Sequence, residues 1–274
     1  MADVQAGGLV STPISALTRH RTLTRELTKR EILGRYRGAS FGLLWSLISP
    51  FLMLLVYTLA FGYILKSRWP GTNGSTSDFA LVLFVGLIVH GFFAECLTRA
   101  PHLILSNTNY VKRVVFPLDI LVWSMVFSAF FHLIANTLVL ILLKWFWHGE
   151  LSWTLLLLPL IYLPLMILTL AVGWVVSALG VYLRDIGQFV GVLAAAMLFL
   201  SSAIVPVKSL PESYRWVFYA NPLTFIIDQA REVAIWGRPP DWSMLGLYSA
   251  ISALLAVAAF QLFQKMRKGF ADVL

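Results

Sequence analysis

Six uncharged stretches constrain the fold of this sequence more than any motif in it. They run Gly38 to Leu65 (28 residues), Phe79 to Ala94 (16), Ile120 to Leu143 (24), Leu151 to Leu183 (33), Ile186 to Val207 (22) and Trp242 to Gln264 (23). A helix rises about 1.5 Å per residue, so about 20 apolar residues cross a bilayer core about 30 Å thick. All but the second run reach that length. The second reads as a crossing that continues past Glu95 toward Ala100, with the carboxylate at headgroup level. The fourth exceeds one crossing, and Pro159 and Pro164 are expected to divide an interfacial start, Leu151 to Leu158, from the crossing proper. A seventh run, Trp216 to Ile227, has 12 residues around Asn221-Pro222, the length of a re-entrant or interfacial segment. The expected fold class is all-α: a polytopic membrane protein of six transmembrane helices, with an amino-terminal amphipathic interface helix and an external re-entrant hairpin before the last span.

Hydrophobic residues make up 59% of the chain and charged ones 12%, roughly half the charged share of a soluble domain, which excludes disorder and weighs against a soluble enzyme. The first run begins after residue 37, behind seven basic residues, and is expected to be a retained helix rather than a signal peptide. Residues 1–37 then form a cytoplasmic segment, 38–264 the membrane domain and 265–274 a cytoplasmic tail. With the amino terminus inside, the cytoplasmic segments hold 14 basic and 7 acidic residues and the external ones 7 and 6. The positive-inside rule therefore favours a bacterial inner-membrane protein with both ends in the cytoplasm. The net charge of +8 is accounted for by topology and anionic lipid, without nucleic acid.

The chain has no G-x-x-x-x-G-K-[ST] phosphate loop and no Gly-Lys dipeptide, so ATP hydrolysis is expected of a partner and no cofactor of this chain. All 13 acidic residues lie outside the six runs. His90 and His132, the latter with Asn136 one helical turn on, read as helix-to-helix hydrogen bonders because no carboxylate is expected at their depth; a proton relay is the alternative. No spacing suits a metal, and the single cysteine, Cys96, reads as an apolar filler.

Four groups of residues are candidates for function. Between Ser15 and Arg37, Leu17, Leu23, Leu27 and Leu33 alternate with basic residues, the pattern of an amphipathic helix on the inner leaflet. Arg35-Tyr36-Arg37, just before the first run, offers guanidinium forks to a lipid phosphate or pyrophosphate. The loop holding Asn107, Asn109, Tyr110, Lys112 and Arg113 suits a short polar helix that a partner subunit can push, and Arg184-Asp185 reads as a hairpin whose charges pair or cap helices. Outside, Pro206, Asn221 and Pro222 suggest half-membrane helices forming a gate. Seven of the ten tryptophans fall on that side as an aromatic belt, and Tyr57, Phe61, Tyr63, Trp216 and Tyr219 are candidates for stacking on sugar rings, with lipid contact as the plainer use.

These segments resemble the membrane permease of type-2 ABC exporters, in the branch exporting O-antigen, capsular and teichoic-acid polysaccharides. The resemblance rests on Arg35-Tyr36-Arg37, Gly42-Leu43-Leu44-Trp45 and Pro50; on Ser106-Asn107-Thr108-Asn109 through Lys112-Arg113 and Phe116-Pro117; on Tyr182-Leu183-Arg184-Asp185-Ile186; and on Pro206 and Asn221-Pro222 with Arg231. It departs at Val89-His90-Gly91, where the family places a Pro-Trp-like pair. The resemblance implies a homodimeric permease that docks two copies of a cytoplasmic ABC ATPase through Asn107 to Lys112 and the interface helix. It further implies a pore between the two first and fifth spans, and a polyprenyl-pyrophosphate-linked glycan, most simply O-antigen, that enters near Arg35 and Arg37. Competing readings are an exporter of a small hydrophobic drug or lipid, a membrane glycosyl- or acyltransferase using Glu95, Asp119 or Asp185, and a proton-driven carrier using His90 and His132.

Overall fold

A computed structural model describes residues 12–64, 66, 68–72, 75–112 and 116–274. Helix accounts for 82% of the described residues, and no strand occurs among them. The amino-terminal segment forms α1 (Pro13–Arg19) and α2 (Arg21–Arg35), parted at His20. Thr12 and Ser15 start α1 with a reciprocal capping box. Next come α3 (Trp45–Tyr57), prolonged by a π-helical stretch over Thr58–Ile64, then α4 (Thr76–Leu103), the single turn α5 (Thr108–Val111) and α6 (Asp119–His148). They are followed by α7 (Leu158–Tyr182), α8 (Ile186–Phe199), α9 (Glu212–Tyr219), α10 (Pro222–Ala234), α11 (Trp242–Met266) and α12 (Phe270–Val273).

Among the described residues, five helical stretches are long and apolar enough to cross a membrane: Gly42–Ile64, Thr76–Leu103, Asp119–His148, Trp153–Tyr182 and Trp242–Val273. The second apolar run continues past Glu95, as expected. Capped by Ser75, whose hydroxyl accepts from the Asp78 N–H at 3.1 Å, its helix runs without a turn through Val89-His90-Gly91 and past Glu95 to Leu103. In the fourth run a 3-10 turn, Trp153–Leu157, precedes α7, with Pro159 in its first turn and Pro164 inside it without ending it. The fifth run differs from expectation: only α8, 14 residues, is helical, and the chain from 200 to 206 forms turns. At about 1.5 Å per residue α8 reaches about 21 Å.

The core is built around α4, in whose apolar window 72% of residues are buried, against 11% in the Gly42–Ile64 stretch. Helices α6, α7, α8 and α10 pack on α4, α11 lies along α7, and α2 and α3 lie on α6. Two glycines set close approaches. A Cβ on Gly86 would stand 2.7 Å from the Ala203 Cα, so α4 touches the non-helical segment after α8 backbone to backbone; Gly180 of α7 meets the Pro101 backbone of α4 in the same way.

Candidate functional site

Arg35 ends α2, Tyr36 caps it, and Gly38, with φ of +84°, turns the chain toward α3. This corner opens onto a cleft of 440 Å³ between α3, α4 and α6, where Arg35 and Tyr36 meet Ser49, Tyr57, His90 and Asn136. Arg37 is exposed and does not line it. The Tyr36 ring stands edge-on to His132 at 5.9 Å, and burial pushes its phenol pKa up, with Arg35 pulling down and Glu95 adding to the rise, so the hydroxyl keeps its proton as a donor.

An ionic cluster forms part of the cleft wall through Arg35, Glu95 and His132. Arg35 Nη1 donates to Glu95 Oε1 at 2.5 Å, Arg99 Nη1 reaches the same oxygen at 3.1 Å, and His132 Nδ1 lies 3.0 Å from Oε2. The other arm of Arg99, Nη2, donates to Glu31 Oε2 at 2.5 Å, and the Ser124 hydroxyl donates to Glu31 Oε1 at 3.0 Å. Helices α2 and α4 are thus joined by charge, and α6 is tied to both through the polar contacts of His132 and Ser124. His132 does bridge helices, as expected, but through a carboxylate: Glu95 is turned inward, its side chain 16% exposed. The signal for it was present in two one-turn repeats, Glu95 to Arg99 and His132 to Asn136, which put a polar stripe on each of two otherwise apolar helices. His90 bonds the Ala194 carbonyl of α8 at 2.9 Å. Lys144, which sequence places at a helix boundary, is buried and donates to the Ala234 carbonyl at 2.7 Å. Asp119 is buried beside Arg267 at 3.4 Å, and the thiol of Cys96 is buried in the core.

At the opposite end, Asn221 and Arg231 hold the broken segment after α8. The Asn221 amide donates to the Met197 and Leu200 carbonyls at 2.9 and 3.0 Å, while its Oδ1 accepts from the Leu223 N–H at 3.0 Å and so caps α10, with Pro222 at the first helical position. Arg231 is buried; it donates to the carbonyls of Ser202 at 2.6 Å, Ala203 at 2.9 Å and Val82 at 3.0 Å and stacks 4.1 Å from the centre of the Trp69 ring. Pro206, Tyr219 and Trp236 line a second cleft of 400 Å³ beside it. Tyr57 and Phe61 stack at 6.1 Å along α3 and its π-helical extension, whereas Tyr63 and Trp216 are exposed and join neither cleft.

The loop residues divide. Asn107 caps the end of α4 through the Leu103 carbonyl at 2.9 Å. Tyr110 stacks on Phe116 at 4.2 Å, and its hydroxyl accepts from Arg30 of α2 at 2.9 Å. Asn109 and Lys112 point to solvent, and Arg113 lies outside the described residues. Arg184 and Asp185 are also exposed. Asp185 holds the N-cap position of α8 without a side-chain bond, and the two form no ion pair among the described residues, so the expected pairing or capping is not made. The short connection is instead held by its backbone, the Leu183 N–H donating to the Leu179 carbonyl at 2.8 Å.

Residues 22–235, from α2 to the end of α10, match the family described as ABC-2 type transporter. Over 261 residues the chain is 26% identical to the O-antigen export system permease protein RfbA of Myxococcus xanthus, covering 94% of this chain and 98% of that protein. The RfbA permease of Klebsiella pneumoniae is 25% identical over 250 residues, 90% of this chain and 93% of the relative. The polysialic acid transport protein KpsM of Escherichia coli is 24% identical over 246 residues, 85% and 90% of the two. The family match takes in the cleft at Arg35, the ionic cluster and the Asn221 and Arg231 anchors, and the chain belongs to the ABC-2 type transporter family.

Proposed function

We propose that this chain is the permease half of an ATP-driven exporter that moves a polyprenyl-pyrophosphate-linked polysaccharide of O-antigen type across the bacterial inner membrane. The observation that carries the reading is the nearly end-to-end relation to permeases named for O-antigen export. The cleft at Arg35 and Tyr36 supports the lipid-linked end: a half-exposed guanidinium and a protonated phenol at the foot of α3 are donors suited to phosphoryl oxygens.

In this reading both chain ends are cytoplasmic, and α2 lies on the inner leaflet with its basic residues toward the headgroups. Helix α8 is the fifth of six crossings, completed by residues 200–207, and α9 with α10 forms the external re-entrant hairpin. Two copies pair around a pore lined by the Gly42–Ile64 stretch and α8, with Tyr57 and Phe61 facing the glycan. The exposed Asn109, Lys112 and Arg184 meet two copies of a separate ATPase, which uses the ATP; this chain binds no cofactor.

The test is export itself. In a strain lacking the chromosomal copy, the wild-type gene restores surface polysaccharide, Arg35→Ala reduces it several-fold, and Asn109→Ala with Lys112→Ala reduces copurification of the ATPase. ATP turnover by the purified chain alone, or full export by the Arg35→Ala variant, overturns the reading.

A further inference from the structure

We propose that Glu95 is an internal stand-in for the phosphoryl group of the ligand: it pairs with Arg35 until a diphosphate takes its place, and it is then held by His132 and Arg99. The inference rests on the reading of Arg35 given above and deepens it.

Three observations carry it. Arg35 uses one corner only, since Nη1 makes both of its contacts, to Glu95 Oε1 at 2.5 Å and to His132 Nδ1 at 3.2 Å. The Nη2 and Nε edge makes no hydrogen bond among the described residues, and the side chain is 51% exposed at the cleft. That edge is the fork that grips phosphate in two places. Next, Glu95 does not depend on Arg35. Its Oε2 keeps the His132 ring nitrogen at 3.0 Å, and its Oε1 keeps Arg99 at 3.1 Å. Loss of Arg35 therefore leaves no bare carboxylate, and an ion pair with a half-exposed member is weak enough to exchange. Finally, the cluster holds two carboxylates, Glu31 and Glu95, against two guanidiniums, Arg35 and Arg99. A dianion at Arg35 meets a site already neutralised and a carboxylate that repels it, which gives Glu95 a penalty role in binding. Because Arg99 carries Glu31 of α2 on its other arm, the exchange is also felt by the amino-terminal helix.

The test is a binding titration on the permease purified with its ATPase subunits, in nanodiscs of phosphatidylethanolamine, with farnesyl pyrophosphate as probe. Glu95→Gln keeps the shape and a hydrogen bond to His132 while removing the charge; it is expected to tighten binding about tenfold. Arg35→Ala is expected to abolish binding in both the wild-type and the Glu95→Gln background. Inorganic pyrophosphate and added phosphatidylglycerol are run as separate arms, so that a gain with the free anion or with an ordinary headgroup is told from one specific to the prenyl diphosphate; a gain with any phosphate-bearing ligand supports the exchange. A gain for farnesol, which has no phosphate, overturns it. Unchanged affinity in Glu95→Gln, with Arg35→Ala still weakening the wild type, overturns the stand-in role alone; wild-type binding indifferent to Arg35→Ala overturns the reading of the cleft. Where Glu95→Gln lowers the melting temperature, Glu95→Asp, which withdraws the charge from Arg35 by one methylene, is expected to give a smaller gain, and no gain overturns the proposal.

Discussion

Replacing Arg231 by Met keeps an apolar stem as far as the Nε position and deletes the guanidinium fork. Three carbonyls lose a donor, but unequally. The Val82 carbonyl sits inside α4, where the helix ladder still serves it; those of Ser202 and Ala203 lie in the non-helical segment, in residues 1% and 0% exposed. A buried acceptor left without a partner costs about 1–3 kcal/mol, so the two together cost about 2–6 kcal/mol. Loss of the stack on Trp69 at 4.1 Å adds to this. For a chain of this size 1 kcal/mol moves the melting temperature by about 2–4 °C, and a mid-range loss of about 4 kcal/mol lowers it by about 8–16 °C. Thermal unfolding of the purified protein, followed by tryptophan fluorescence, reads this directly. The carboxylate nearest to Arg231 makes the control. Asp228 lies 3.5 Å away with its side chain 44% exposed, so Asp228→Asn is expected to cost less than about 1 kcal/mol. An Arg231→Met variant melting within about 2 °C of wild type, half the shift of about 4 °C that even a loss of about 2 kcal/mol gives, refutes the assignment of Arg231 as the clamp on residues 202 and 203; so does Asp228→Asn equalling it.

Other perturbations separate local from tertiary effects. Gly86→Ala gains helix propensity yet is expected to destabilise by about 1–3 kcal/mol, because the new Cβ would meet the Ala203 Cα at 2.7 Å; a raised melting temperature refutes the close approach. Asn221→Ala removes one cap and two amide bonds and is expected to cost about 2–4 kcal/mol, whereas Asn221→Asp, which keeps the cap and loses the amide donors, falls between. Tyr110→Phe, losing only the bond from Arg30, is expected to cost under about 1 kcal/mol and leave ATPase copurification intact; Tyr110→Ala, which loses the stack on Phe116 as well, is expected to reduce it.

The sequence was informative wherever one face of a helix met a uniform surround. Counting uncharged residues finds α3, α4, α6, α7 and α11, and the basic segment before the first run does form helices, as α1 and α2. It errs where a distant side chain changes the local rule. Nothing between Ile186 and Val207 but Pro206 breaks a helix, yet the chain leaves helical geometry after Phe199, because Arg231 and Asn221, from α10 and its cap, take the carbonyls there. Glu95 was placed at headgroup level at the end of its crossing; it is turned inward and held by partners from α2, α4 and α6, of which only Arg99 lies within a turn on its own helix. Tyr110 and Asn107 were read as surface for a partner; Tyr110 is engaged by Arg30 of α2 and Asn107 by the local Leu103 carbonyl, while Asn109 and Lys112 face outward. At Asn221-Pro222, read from the sequence as a break in a re-entrant segment, Asn at the helix start and Pro at the next position cap α10 through local geometry alone.

That Asn221 serves a helix end and a helix start at once has an electrostatic consequence. The last turn of α8 carries a partial negative charge and the first turn of α10 a partial positive one, each roughly half an elementary charge. One amide, donating to the first and accepting from the second, joins them head to tail, so that the opposing fields cancel at the junction. A break in the middle of an apolar sequence, where exposed helix ends ordinarily attract ions, is here electrically quiet.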